Sequence, residues 1–532
     1  MLASPQVASA APPGHKAYTE LYRPQYHFSP AKNWMNDPNG LIYHDGVYHL
    51  YYQYNPGGTT WGAMSWGHAT SRDLTQWTEH PVALQARGFP DNITEMYFSG
   101  SIVVDERNTS GFGKKGKVPW VAMYTSYYPL EQTLPSGKHV RKDQQAQSIA
   151  YSLDQGMTWT TYDAANPIIA EPPAPYQDQV LEFRDPNVFW HDETRQWIAV
   201  VSLAKLHKIL IYTSNNLKDW KLASEFGPVN AVGGVWECPS IFPLSLDGGD
   251  DLKWILMLGL NPGGPPGTVG SGSQYIVGNF NGTTFTADPE SIYTPEDQDS
   301  QVANWLDHGP DFYAALGFNG LPQDKRTVIA WMNNWQYGGV IPTDPWRSAM
   351  SAPRHLELKT IDGKATIVSE PAARLKTQGG RTFTFRRLDG ERELGRLGKA
   401  LEIELSFSRK ATEGEFGIAL AATKDYSQET RVGYDFAAGQ VFVDRSRSGE
   451  VGFDGTFASR YYAPLSLGAD GRVSLRIMLD WSSVEVFGGD GEATITSQIF
   501  PSKDAVYSRL FSTGGETGNV KVGVKEVRSA WR

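Results

Sequence analysis

Three short stretches set a carboxylate beside aromatic residues and close to a proline: Trp34-Met35-Asn36-Asp37-Pro38-Asn39-Gly40, Phe183-Arg184-Asp185-Pro186 and Trp236-Glu237-Cys238-Pro239. Paired carboxyl groups in different protonation states are what cleavage of a glycosidic bond needs. One attacks carbon or assists water, and the other protonates the departing oxygen. Any one of these acids alone reads as a turn cap. Three in like settings point to a shared pocket, where they cannot all stay ionised cheaply. At least one pKa should therefore rise, and the group kept protonated is the natural acid. The prolines force extended backbone before them, which predicts strand starts. On an extended strand Cys238 faces away from Glu237, as a packed thiol rather than a nucleophile.

The elements that must position these acids form a degenerate repeat. Ser-x-Asp/Asn-Leu-x-x-Trp occurs at Ser71 to Trp77 and at Ser214 to Trp220, with a longer relative from Ser152 to Trp159 and a weaker one at Asn281 to Phe285. An alternating apolar stretch precedes each mark, giving strand, polar turn and aromatic-led strand. Upstream lies a second recurring unit of acidic or polar residue, strand, turn and strand, beginning at Asp37, Ser99, Asp185, Glu237 and Asp311. Five such units predict an all-β, five-bladed β-propeller. The first strand of each blade lines the central channel, so Asp37, Asp185 and Glu237 should converge at equivalent ends of three inner strands. Asp311 and Tyr313 open the fifth blade at the same phase, where a structural role weighs slightly more than a site role.

The pattern changes after Pro353. Residues 1–17 read as an N-terminal tail, 18–369 as the propeller and 370–397 as a charged linker. In 398–532, short alternating strands predict a β-sandwich with a structural or accessory role. A chain of 532 residues is too long for one ordinary core, so two domains fit its length.

Composition excludes more than it names. The net charge of -10 argues against nucleic-acid and anionic-membrane partners. No apolar run is long enough to span a bilayer. The single cysteine rules out an intrachain disulfide, and no cluster of His, Cys and acids has metal-ligand spacing. The chemistry requires no cofactor. Sequons at Asn92, Asn108 and Asn281 are candidate glycosylation sites that fit a secreted, extracellular protein. Met1 to Gly14 lacks the basic and apolar regions of a signal peptide, so a leader is expected to be absent from this chain.

Together, Trp-Met-Asn-Asp-Pro-Asn-Gly, Arg-Asp-Pro and Glu-Cys-Pro resemble glycoside hydrolase family 32, the invertases, inulinases and levanases, and the likeness runs from about Tyr22 to the C-terminus. Gln25 to Gly40, Gly234 to Pro239, Asn261 to Gly270 and Trp331 to Met350 look most like the fungal exo-inulinases of that family. The resemblance implies a catalytic propeller followed by a β-sandwich. It also implies Asp37 as nucleophile, Glu237 as general acid/base and Asp185 as transition-state stabiliser. Asn36, Gln53, Trp61, Ser99, Arg184 and Trp335 would line a fructose site. The implied activity is exo-hydrolysis of terminal fructose from inulin, levan and sucrose with retention. A fructosyltransferase or an endo-inulinase on the same scaffold is the alternative. A silent sugar-binding propeller fits poorly, because all three acids are present.

Overall fold

The Ser-x-Asp/Asn-Leu-x-x-Trp mark folds into a self-contained turn. In the first copy Ser71 Oγ accepts from the Leu74 amide at 2.8 Å, and Asp73 Oδ1 accepts from the Gln76 amide at 2.8 Å. Trp77 Nε1 then donates to Leu74 O at 3.2 Å. The third blade repeats this with Ser214, Asn216 and Trp220. The second does so with Ser152 and Trp159, the latter donating to Gly156 O. The short polar side chains replace backbone partners at the turn, and the indole ties its far end. The motif therefore marks one blade corner each time.

The structure is a computed structural model and describes residues 18–293, 301–408, 413–468 and 470–531. The expected tail at 1–17 lies outside the described residues. Five antiparallel sheets follow one another along the chain, and their inner strands are Asn33–His44, Met96–Val104, Phe183–His191, Val235–Ser245 and Tyr313–Gly317. Each inner strand packs against the next, and the fifth against the first, so the sheets close into a five-bladed propeller. Trp346–Arg347 pairs in parallel with Asn33 and Trp34 and completes the ring. Second strands such as Gln196–Leu203 and Thr327–Met332 are almost wholly buried. They read as continuous apolar runs because blades cover both of their faces. Gly40 is needed where the first two inner strands cross closely: its φ is +47°, and a Cβ there would lie 2.6 Å from Ile102.

The second domain is a β-sandwich built on one ten-stranded sheet. Its long strand Tyr507–Val527 serves both layers, pairing first with Glu415–Ala422 and then with Leu401–Ser408. Ile403, Leu405, Ile418, Val432, Leu475 and Val486 fill the space between. The stretch expected as a linker, 370–397, is instead mostly strand. Thr377–Arg396 runs for 20 residues along Tyr507–Val527 and pairs with nothing else. As an exposed edge it carries charged side chains, and that charge is what made it read as a linker.

The domains meet through buried ions. Arg354 bonds Asp307 at 2.8 Å and Glu485 at 2.6 Å, and His27 bridges Asp480 and Glu485 at 2.8 Å each. Burial opposes the charge on His27, but its two carboxylate partners prevail and raise it to about 9. Asp311 belongs to this junction rather than to the channel mouth. Its carboxylate accepts from Arg445 of the sandwich and from Tyr337, both at 2.7 Å.

Candidate active site

A β-bulge interrupts every inner strand at the same level. The irregularities fall between Met35 and Pro38, Tyr97 and Gly100, Arg184 and Asn187, Glu237 and Ser240, and Tyr313 and Leu316. Three of the bulged residues, Asp185, Cys238 and Ala314, have φ of 63°, 49° and 51°. For non-glycine residues this conformation costs about 1 kcal/mol or more and is held by the surrounding fold. Pro38, Pro186 and Pro239 therefore sit inside strands, at or beside bulges, and not at strand starts as expected. A bulge tolerates proline because the ladder is already broken there.

The bulges also offset the acids. Relative to the five-fold level, Glu237 is the last paired residue, Asp185 the first bulged residue and Asp37 the second. One repeat position thus delivers three carboxylates at three depths. Ser99 occupies the position of Asp37 in the second blade and donates to Asp37 Oδ2 at 2.6 Å. Asn36 Nδ2 donates to Asp37 Oδ1 at 3.1 Å, and Trp34 Nε1 fixes Asn36 at 2.7 Å. Arg184 donates through Nε and an Nη to Glu237 Oε1 at 3.2 and 3.0 Å, and its Nε lies 3.8 Å from Asp185. Glu182 and Gln145 hold its other arm. Asp185 is fixed by the Cys238 amide, which donates to Oδ2 at 3.0 Å.

The bulge corrects the expectation for Cys238. Its side chain does not face away from the acids: Sγ lies 3.5 Å from Asp37 Oδ2 and 3.8 Å from Asp185 Oδ2. Burial and the three surrounding carboxylates hold the thiol far above its ordinary pKa, so it is a neutral packing and donor group. Tyr313, weighted toward a structural role from sequence, donates its hydroxyl to Glu237 Oε2. Only its register with the bulges of the other blades could have signalled this.

Asn36, Asp37, Ser99, Arg184, Asp185, Glu237, Cys238 and Tyr313 form one hydrogen-bonded cluster. Trp335 is half-buried against Trp34 and Trp331, with ring centroids 5.9 and 4.9 Å away. Trp61 is 45 % exposed and meets Phe98 edge-on at 6.0 Å. Gln53 is buried on the second strand of the first blade, and its amide donates to Tyr97 O at 3.0 Å. The three sequon asparagines are exposed. Among the described residues no group of His, Cys, Asp and Glu could hold a metal ion, and no helix is long and apolar enough to cross a membrane.

Electrostatics follow from depth. Burial raises the Asp37 carboxyl, opposed by the Ser99 hydrogen bond and reinforced by the Glu237 charge. Burial raises Asp185 to about 7, with Arg184 opposing and with Glu237 and Asp37 adding to the rise. Its pKa is thus higher folded than unfolded, so the native state binds the proton more tightly. Between pH 4 and 7 stability falls as pH rises, and the penalty is complete above 7. Asp185→Asn removes that penalty while keeping an acceptor for the Cys238 amide. The variant is expected to be more stable than the parent at pH 8, by at least about 1 kcal/mol, and to lose this advantage toward pH 4. Melting curves at the two pH values check it.

Comparison with known proteins agrees with this geometry. Residues 27–371 match the N-terminal domain of glycosyl hydrolases family 32, and residues 372–527 match its C-terminal domain. The extracellular exo-inulinase of Aspergillus ficuum is 60% identical over 97% of this chain and 96% of its own. The crystal structure of exo-inulinase from Aspergillus awamori is 59% identical, with a TM-score of 0.94 over 97% of this chain and all of that one. A β-fructofuranosidase from Schwanniomyces occidentalis, solved with fructosyl-erythritol, is 30% identical, with a TM-score of 0.81 over 96% of this chain and 98% of its own. Two matched domains in series, high identity across nearly the whole chain and a superposable propeller leave one assignment: this chain belongs to glycosyl hydrolases family 32 and is a glycoside hydrolase.

Proposed function

We propose that the chain is a secreted exo-acting β-fructofuranosidase that releases terminal fructose from inulin, levan and sucrose with retention of configuration. The observation that carries this reading is the three-carboxylate cluster, in which each acid has a different set of partners. Asp37 accepts hydrogen bonds from Ser99 and Asn36, and both favour its charged form as a nucleophile. Glu237 is half-buried, positioned by Arg184 and Tyr313, and suited to protonate the leaving oxygen and later to deprotonate water. The rise at Asp185 does not single out Glu237 as the acid, so that role rests on the matched motif and on the Arg184 and Tyr313 contacts, and Asp185 would accept from fructose hydroxyls as positive charge develops on the ring. Trp335 offers a half-buried aromatic wall, and Trp61, 45 % exposed, stands at the rim.

The central funnel is closed at its floor. Asn319 ties three inner strands together beneath the acids: its amide hydrogens reach Ile102 O at 2.8 Å and Val188 O at 3.3 Å, and its backbone N–H reaches Leu41 O at 3.0 Å. The plug leaves substrate a single mouth by which to reach the acids, and exo action accords with the exo-inulinases that the chain resembles. Secretion, with carbohydrate on Asn92, Asn108 or Asn281, accords with the extracellular relative and with the exposure of those residues. NMR of the first product from sucrose tests the mechanism. Double displacement through Asp37 gives β-fructofuranose first, whereas α-fructofuranose first would mean single displacement.

A further inference from the structure

The inner strands continue past the Asn319 plug to the other face of the propeller. There they surround a second cavity of about 680 Å³, lined by Tyr43, His44, Arg107, Trp190, Trp254 and Arg326 among others. Its wall begins at Asn187 and Ser240, two and three positions beyond Asp185 and Glu237, and runs on to His191, so along the strands it extends from about 7 Å to about 20 Å from the acids, on the far side of the plug. Its volume falls in the range of ligand cavities, about 300–1,000 Å³.

Two features mark it as more than a gap between blades. Ser240 is 4% exposed, and its Oγ meets no hydrogen-bond partner among the described residues. The same holds for the buried Nε of Arg326, whose guanidinium lies over the Phe242 ring at 4.6 Å and has no carboxylate partner among those residues. Leaving such donors unpaired costs about 1–3 kcal/mol each unless something else bonds them. The second feature is a set of anchored, half-exposed rings. Trp190 is fixed edge-on to Trp197 at 5.0 Å, with the Arg107 guanidinium over one face at 4.4 Å, and Trp254 by His191 and Phe280 at 5.5 and 5.1 Å.

We infer that this cavity is a second, non-catalytic carbohydrate site that binds a short stretch of oligosaccharide on the face opposite the active site. Rings supply faces for apolar sugar surfaces, while Asn187, Asp192, Glu193, Arg107 and Arg326 supply donors and acceptors at their edges. Acidic and basic side chains share the wall, which suits a neutral polyhydroxylated ligand better than a strongly charged one. That the oligosaccharide is a fructan rests on the function proposed above. A single polymer could then hold the enzyme by one segment while an end enters the funnel, raising the local concentration of ends.

The test uses the full chain with Asp37→Asn, titrated calorimetrically with a short inulin-type oligosaccharide. Binding at two sites is expected, reduced to one by adding Trp190→Ala or Arg326→Ala; two variants guard against one that fails to fold. In the otherwise native enzyme, Trp190→Ala is expected to raise KM for long-chain inulin about threefold or more and to leave sucrose kcat/KM within about twofold. Single-site binding by Asp37→Asn, or two sites that persist in both variants, overturns the inference. Failure of the underlying functional reading is distinguishable, because it shows as a native enzyme that does not hydrolyse sucrose.

Discussion

Asp37→Asn is expected to yield a folded protein whose turnover of sucrose and inulin has fallen by about three orders of magnitude or more. The amide is isosteric with the carboxylate but cannot form a fructosyl ester. Stability should hold, because burial already penalises the charge on Asp37 and the Ser99 hydroxyl can turn to meet the new group. A surface substitution changes stability by less than about 0.5 kcal/mol and would leave activity nearly intact. Circular dichroism together with initial rates decides it. A folded variant keeping more than about a tenth of the activity removes Asp37 from the chemistry.

Glu237→Ala is expected to fail in a different way. If Glu237 protonates the leaving oxygen, a leaving group that needs no proton bypasses it in the first step. With sucrose the variant should lose about two to four orders of magnitude, the usual scale of general acid catalysis. With an activated aryl fructoside it should still release the aryl group rapidly. The covalent intermediate then waits for water that nothing deprotonates. Azide, already anionic, should speed its breakdown and give a fructosyl azide of retained configuration. Equal losses on both substrates with no azide effect would show that Glu237 does not act as the acid. Arg184 and Tyr313 both lose their partner in this variant, so the activated substrate, not sucrose, separates chemistry from positioning.

The propeller could be read from sequence because its corner motif is local: Ser71, Asp73 and Trp77 each bond backbone groups of the same seven-residue stretch. The acids could be read because each lies in a short run of unusual composition. The β-bulges could not, since no residue type announces one, and so the contacts of Cys238 Sγ with Asp37 and Asp185 were not legible, whereas the structural role weighed for Asp311 is the one it has. Tyr313 reaches Glu237 across 76 residues of chain, and nothing near it in sequence marks that contact. The strand Thr377–Arg396 was hidden for a different reason: an edge strand carries the charges of a linker, and only its pairing with Tyr507–Val527 tells them apart.

On the proposed function, Asp37, Asp185 and Glu237 remove fructose units singly from a chain end. Chromatography of the earliest products from inulin tests it most directly. Exo attack predicts free fructose as the sole small product from the first time point, with the polymer shortening gradually. A ladder of inulotriose and longer oligomers appearing before free fructose would mean that the chain passes through an open cleft, and would contradict this account of the pocket.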